Sequence, residues 1–526
     1  MEAIQRGLDV LALFRADRPT LTLAEITRLV SGVPSTTLRI VNTLEDMGFL
    51  ESMPDRAAYR AGPSSLRIGH SCIVGSRLRA IASPSLARLR DACGEGVSLG
   101  VVSDESVYLI DQLQAVQPMS LTLPVGARLP VRDTAAGKAI LAFSPAAAID
   151  LALGSVAGNA SDTRATRSKF VAELATVRRT GYAIQDQVFA GTRSIAAAVL
   201  GEDGAAIAAI MVAVGAGRYE LSDLARVLSP LVVGAAAEVG ARWRAERAAV
   251  VRDRREEPEY DASSEPDAAK ETEQRSRYHV EALSRGLQTL LAFTPGAPRL
   301  PLTEIAQRTA FLMPTSFRIV STLTSLGYIR RDDATGKHEL TPKVLELGYD
   351  GLAWLSVSEF VLPRLMRFEA ETQVSVYLSV LAGDAAVDIV SLGRPGVMTT
   401  IGRSYPLYCT PGGKVLLAFM PQAQARAIVE TVELVKRAPK TLVDYEALSS
   451  ELEAIRSRGY SVSDQEYLPG SVGVGVPLLN AAGECVATIA CVVRGNAADR
   501  TVLDRLVVQA CEMSEDLNSR MAARFT

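Results

Sequence analysis

The chain carries three histidines, His70, His279 and His338, and six cysteines, Cys72, Cys93, Cys409, Cys485, Cys491 and Cys511. Histidine is the usual general base near neutral pH and the commonest metal ligand, and a thiolate is the usual soft nucleophile. No histidine falls within 71–278 or 339–526. Neither stretch can build a histidine base or a histidine-ligated metal from its own residues, so no metal and no cofactor is expected. The cysteines form no CxxC pair and no regular spacing, which fits free thiols in a reducing, cytoplasmic compartment. Cys409, Cys485 and Cys491 leave one route to enzyme chemistry, a redox thiol pair.

A second group of side chains suits binding rather than catalysis. Ser35, Thr36, Thr37, Arg39 and Asn42 lie in one short segment, and Thr315, Ser316, Arg318 and Ser321 lie in another. Short hydroxyl side chains at the start of a helix let it enter the DNA major groove closely, and an arginine reaches a phosphate or a guanine edge. Arg56 after the first segment, and Arg330 and Lys337 after the second, sit where a β-hairpin would reach the DNA backbone.

The elements that would position these residues can be read from spacing. Ile4, Leu8, Leu11 and Phe14 recur at helical intervals. Thr22-Leu23-Ala24-Glu25 has the form of a capping box and predicts a second helix to about Val30. A third helix follows Pro34, with Leu38, Val41 and Leu44 toward the core. Gly48 ends it, and Phe49–Glu51 and Ala58–Arg60 read as a hairpin around Asp55-Arg56. Helix, helix, turn, helix and hairpin describe a winged helix-turn-helix.

This pattern occurs twice. Arg6-Gly7-Leu8, Glu25, Arg39-Ile40-Val41 and Gly48 recur as Arg285-Gly286-Leu287, Glu304, Arg318-Ile319-Val320 and Gly327, always 279 residues later. Farther on, Gly137-Lys138 pairs with Gly413-Lys414, and Gly181-Tyr182 with Gly459-Tyr460. The chain reads as a tandem duplication of a two-domain protein. The expected domains are a winged helix at 1–64, a mixed domain at 65–245, a charged linker at 246–278, a second winged helix at 279–343 and a second mixed domain at 344–526. In each mixed domain, alternating strands follow two helices, with further helices on one side of the sheet. The first repeat has no cysteine matching Cys409, Cys485 or Cys491, which weighs against thiol chemistry.

Bulk composition agrees with this reading. A chain of 526 residues is too long for a single core, and 48% hydrophobic with 22% charged residues is ordinary for globular proteins. The net charge of −3 excludes a polycation, so any DNA-binding surface must be local. No window reads as a membrane span and no basic leader with an apolar run opens the chain, so neither a membrane partner nor a secretory signal is expected.

The order of these motifs resembles the IclR family of bacterial transcription regulators. They comprise the three helices to Gly48-Phe49, then Val125-Gly126-Ala127-Arg128-Leu129-Pro130, Thr134-Ala135-Ala136-Gly137-Lys138, and Gly181-Tyr182 with Asp186 and Gly191. The resemblance covers nearly the whole chain, twice. It implies an α+β fold, a winged helix-turn-helix plus a GAF-like antiparallel-sheet effector domain, repeated in tandem. It implies a non-enzymatic regulator that binds double-stranded operator DNA and a small-molecule effector, and controls catabolic or transport genes. The partner arrangement it suggests is an intramolecular pseudo-dimer or a homodimer of chains.

The resemblance places effector contacts at Thr134, Ala135, Ala136, Gly137, Asp186, Ser194, Val212 and Val214 in the first repeat. In the second they fall at Thr410, Gly412, Gly413, Asp464, Gly473 and Val492, with Ala490 beside them. Asp186 and Asp464 read equally well as ligand contacts or as strand-end residues bonded to backbone. Apolar residues on the last strand favour an aromatic or less polar acid. An interaction scaffold without DNA binding is the alternative outside enzymes.

Overall fold

The structure is a computed structural model. It describes residues 2–15, 17–53, 57–113, 115, 125–154, 160–186, 191–252, 280–348, 356–394, 397–398, 402–480, 482–494 and 500–524. Arg56 and most of the charged linker lie outside these residues.

The first winged helix is built from the helices Glu2–Leu11, Leu23–Leu29 and Pro34–Asp46 and a small antiparallel sheet of Thr20–Thr22, Ala58–Ala61 and Leu50–Met53. The capping box forms as its sequence predicts. The Thr22 hydroxyl accepts from the Glu25 amide, and the Glu25 carboxylate accepts from the Thr22 amide at 2.8 Å. These bonds satisfy amides that a helix start otherwise leaves unpaired. The second winged helix repeats the plan with Glu281–Leu291, Leu302–Thr309 and Met313–Ser325. There Pro301 takes the place of Thr22, and no side chain caps the helix Leu302–Thr309.

Each mixed domain is a wholly antiparallel sheet. The first has six strands in the order Arg128–Pro130, Ser106–Leu113, Gly96–Ser103, Ala206–Gly215, Thr192–Leu200, Ala183–Asp186. The second follows the same order with Ser404–Pro406 and Val397–Met398 beside Ala385–Arg394, then Ser375–Ala382, Cys485–Arg494, Ser471–Leu479 and Ser461–Asp464. Helices cover both faces rather than the single side expected. Ile195, Ala196 and Ala197 are successive strand residues, and all are buried. Successive side chains point to opposite faces, so both must be covered. One face packs the helix Ala135–Leu141, and the other packs Arg77–Cys93 and Leu221–Arg252.

The helix over Leu221–Ala249 is long and apolar enough to cross a membrane by length and composition, a feature the sequence reading passed over. Its Leu224, Leu228, Val232, Ala236 and Val239 are buried, and Arg244 donates to Leu200 O on the sheet at 3.0 Å. Here it is a covering helix of the sheet domain.

The described chain divides into two compact units, one of residues 1–8 and 71–350, the other of residues 9–70 and 351–526. Each unit joins the winged helix of one repeat to the sheet of the other. In the first unit, Lys343 pairs with Asp104 at 3.0 Å, Arg247 with Asp332 at 2.8 Å, and the Ser103 hydroxyl donates to Glu346 at 2.9 Å. The opening helix contributes to the same unit. A Cβ on Gly7 would stand 2.3 Å from Leu283, and one on Gly286 3.2 Å from Ile4, so the paired glycines let two helices approach closely. In the second unit, Arg67 pairs with Asp384 at 3.4 Å.

Candidate functional site

The third helices of the two winged helices occupy matching residues, Pro34–Asp46 and Met313–Ser325. In the first, Ser35 and Arg39 are exposed, and Thr36 and Asn42 are half-buried at the same face. In the second, Arg318 and Ser321 are exposed and Thr315 is half-buried. Thr37 and Ser316 do not belong to these faces. They occupy equivalent positions and are 1% and 0% exposed. Thr37 Oγ1 donates to the Val33 carbonyl at 3.1 Å, one turn back. The helical period carries both residues inward with Ile40 and Ile319, so neither can meet a base. Arg330 is exposed on the hairpin. It pairs with Glu339 at 2.6 Å and borders a cavity lined by Val101 and Ile110 of the adjoining sheet and Trp243 of its covering helix. Lys337 remains half-buried on the hairpin.

In the second sheet a pocket opens over the start of the helix Pro411–Phe419. Its volume is about 60 Å³. Thr410, Gly412, Gly413, Gly473, Ala490 and Val492 line it, as expected from sequence. Thr410 caps the helix, its hydroxyl accepting from Gly413 N at 3.2 Å. A Cβ on Gly413 would stand 2.5 Å from the Leu407 carbonyl, so only glycine fits this tight corner.

Asp464 is absent from the lining and forms an ion pair with Lys440, which holds its carboxyl below the usual range. The adjacent Ser463 lines the pocket instead, donating to Cys409 O at 3.1 Å. Strand alternation decides this, since Ser463 faces in and Asp464 faces away. In the first repeat Asp186 likewise pairs with Arg193, at 2.9 Å. Val212 and Val214 are misplaced by one residue. Pairing aligns Met211 with Ser98 and Ala196, as Ala490 aligns with Tyr377 and Gly475, so Met211 and Ala213 are the equivalents of Ala490 and Val492. Thr134, Ala135, Ala136 and Gly137 occupy the helix start as predicted, with Ser194 opposite on its strand at half-burial.

The strongest chemistry in the pocket comes from residues that the sequence reading missed: Tyr377, Ser379, Asp388, Arg403, Tyr405 and Tyr467. Asp388 is 1% exposed, and its Oδ1 accepts from the Ser379 hydroxyl at 2.7 Å. Its Oδ2 has no well-formed hydrogen bond. Burial pushes this carboxyl up to about 7, against the opposing pull of Ser379, Arg403 and Tyr405. The Arg403 guanidinium lies 4.9 Å from the Tyr405 ring centre and forms no ion pair among the described residues. Burial disfavours its charge, but Tyr405, Tyr467 and Asp388 outweigh burial and hold it firmly protonated. Tyr405 meets Tyr377 and Tyr467 edge-on, at 6.4 and 5.6 Å. One signal was legible: Asp388 is the lone acid in the apolar run Ala385–Leu392.

Family models match both halves of each repeat. The IclR helix-turn-helix domain matches residues 3–54 and 282–333, and the bacterial transcriptional regulator IclR C-terminal domain matches 70–239 and 352–519. The chain belongs to the IclR family. Among relatives, the Pca regulon regulatory protein of Pseudomonas putida is 30% identical over 217 residues, 40% of this chain and 73% of that protein. The HTH-type transcriptional regulator KdgR of Escherichia coli is 30% identical over 189 residues, 35% of this chain and 72% of that protein. Each spans under half of this chain because this IclR-family member carries the unit twice. A solved IclR-family regulator from Brucella abortus is 20% identical, covering 46% of this chain and 92% of that one, with a TM-score of 0.42.

The chain is therefore a transcription regulator with two DNA-binding and two effector-type domains. The relatives are regulators rather than enzymes. The thiols fit that picture: burial pushes Cys409, Cys485 and Cys491 up to about 12, so each stays protonated and weakly nucleophilic near neutral pH.

Proposed function

We propose that this chain is a cytoplasmic, effector-controlled regulator in which the two repeats act as an intramolecular pseudo-dimer on one operator. The observation that carries the proposal is the pair of third helices with equivalent but non-identical polar faces. Ser35, Thr36, Arg39 and Asn42 present one face; Thr315, Arg318 and Ser321 present the other. A symmetric dimer reads a palindrome with two identical helices. Two different helices in one chain read two different half-sites, so the operator is asymmetric. The effector is a small organic acid held in the pocket over Thr410–Gly413, and it acts by favouring one of two arrangements of the DNA-binding parts. Coupling of this kind amounts to about 1–3 kcal/mol.

Footprinting on the DNA upstream of the chain's own gene tests this reading. One chain protecting two unlike half-sites, about one helical turn or a multiple apart, is the expected result. A perfect palindrome protected by two whole chains would sink it.

A further inference from the structure

The two sheets have the same register over their matched strands and share the capping threonine, Thr134 and Thr410, yet they differ at five other polar positions facing the pocket. By strand pairing, Ser98, Gly100, Leu109 and Leu129 stand where the second repeat has Tyr377, Ser379, Asp388 and Tyr405. Ala127 stands where it has Arg403. The backbone bonds agree: Leu109 N donates to Ala127 O at 3.0 Å, as Asp388 N donates to Arg403 O at 2.9 Å. Met211 replaces Ala490.

These exchanges alter the chemistry of the site completely. Leu109, Leu129, Ala136 and Met211 are 0, 1, 0 and 4% exposed and belong to one continuous apolar core. Among the described residues, the side chains that replace the polar lining are packed into the first repeat's apolar core. In the second repeat, the cavity is bounded by a buried carboxyl, near Tyr405, whose Oδ2 makes no well-formed hydrogen bond among the described residues, and by a guanidinium without an ion-pair partner among them. A buried polar atom left unpaired is costly, so a site of this kind is built for a ligand that completes it. Three tyrosine rings supply flat apolar walls, and the volume holds only a handful of water-sized units at about 10–15 Å³ each.

We infer that the chain binds one effector, in the second repeat alone, and that this effector is a compact aromatic acid carrying a hydrogen-bond donor. Its carboxylate meets Arg403, its hydroxyl or amino donor meets Asp388 Oδ2, and its ring lies among Tyr377, Tyr405 and Tyr467. The first repeat's sheet is a structural copy with its pocket filled. The inference deepens the effector-control reading above and rests on it for the meaning of the site.

Calorimetry on the full chain tests it, with 3- and 4-hydroxybenzoate as probes and benzoate and phenol as controls. The expected result is one molecule of at least one hydroxybenzoate per chain. Benzoate, lacking the donor, and phenol, lacking the anion, should bind roughly 10- to 100-fold more weakly, the usual loss when a charged partner is left unpaired. Arg403→Met should abolish binding. Ala490→Met, which imitates Met211, should also abolish it by filling the cavity without touching a charge. Melting curves of both variants show whether they fold; if Arg403→Met does not, the Ala490→Met result stands alone.

Two molecules per chain, binding unaffected by Ala490→Met, benzoate bound as tightly as its hydroxylated forms, or no hydroxybenzoate bound at all would each overturn the inference. DNA affinity of the ligand-free chain is measured in parallel. Selective DNA binding with any of those outcomes defeats this inference alone. One effector per chain without DNA binding defeats the regulator reading and leaves the site assignment standing.

Discussion

A Cβ on Gly402 would stand 2.4 Å from the carbonyl oxygen of Leu66. The two residues belong to different repeats but to the same compact unit. Gly402 N donates to Asp388 O at 2.6 Å, and Arg403 O accepts from Asp388 N at 2.9 Å, so the backbone under Leu66 is the backbone that carries the two charged pocket residues. On the other side, Ser64 N donates to Gly48 O at 3.1 Å, and the Ser64 hydroxyl donates to Met47 O at 2.9 Å, directly behind the third helix of the first repeat. A continuous packed path runs from the second repeat's pocket to the first repeat's recognition helix.

Gly402→Ala should therefore damage coupling more than binding. Gly402 has φ +86, a backbone conformation that a Cβ disfavours, and the substituent would also press on Leu66. The expected loss of stability is about 1–3 kcal/mol, read from a urea melt. The ratio of DNA affinities with and without effector should shrink toward one while the effector still binds. An unchanged ratio would mean that the signal takes another path.

Asp388 should make stability depend on pH in an identifiable window. Its carboxyl stands at about 7, above its ordinary 3.8, with burial the main cause. Between those values the folded chain keeps a proton that the unfolded chain has released, so the folded state binds more protons. This contribution is fully present below about pH 4 and is lost as pH rises through 7. Asp388→Asn should flatten the difference between denaturant melts at pH 5 and pH 8 relative to the unsubstituted chain. An identical difference in both proteins would refute the assignment.

The two third helices separate surface from core within a few residues. Arg318→Ala should weaken DNA binding and lower the slope of log affinity against log salt by about 1, the value for one lost phosphate contact. Ser316→Ala should leave DNA binding intact. Its buried hydroxyl has no hydrogen-bond partner among the described residues, so its removal should be neutral or slightly stabilising. Equal losses from both substitutions in the anisotropy assay would show that Ser316 reaches the DNA.

The capping difference between the repeats gives a fold-level prediction. Thr22→Ala removes the hydroxyl that accepts from the Glu25 amide and donates to the Glu25 carboxylate, and should destabilise the first winged helix by about 0.5–2 kcal/mol. Pro301→Thr places a threonine three residues before Glu304, where it can form the same box, and should raise the melting temperature of the second. Glu25 reports the state of the first box directly, because the Thr22 amide and hydroxyl hold its carboxyl below the usual range. The main share of that depression comes from the Thr22 amide, which alanine keeps, so NMR titration should show the Glu25 carboxyl rising part of the way in Thr22→Ala; an unchanged Glu25 would contradict the hydroxyl's role.

These comparisons show which features are legible in a single sequence. The repeat register, the capping box at Thr22, the glycine corner at Gly413 and the third helices are local, and local chemistry specifies them. The hydroxyl type of Thr37 and Ser316 suggests an exposed, DNA-facing position, whereas the helical period turns that position inward. Val212 and Val214 missed the pocket by one residue, which in a strand reverses the face. Asp388, Arg403 and Tyr405 come together only through the pairing of Ala385–Arg394 with Ser404–Pro406, a contact that spacing alone does not specify. The exchange of winged helices between units is also non-local, since it depends on which sheet each helix finds.

The most direct test of the account is fluorescence anisotropy of the full chain on DNA from upstream of its own gene, against scrambled DNA of equal length, across a salt series. The account predicts tight binding to the upstream DNA that falls steeply with salt and stays far above the scrambled control, and that a hydroxybenzoate shifts. Equal affinity for both DNAs at every salt concentration would contradict it.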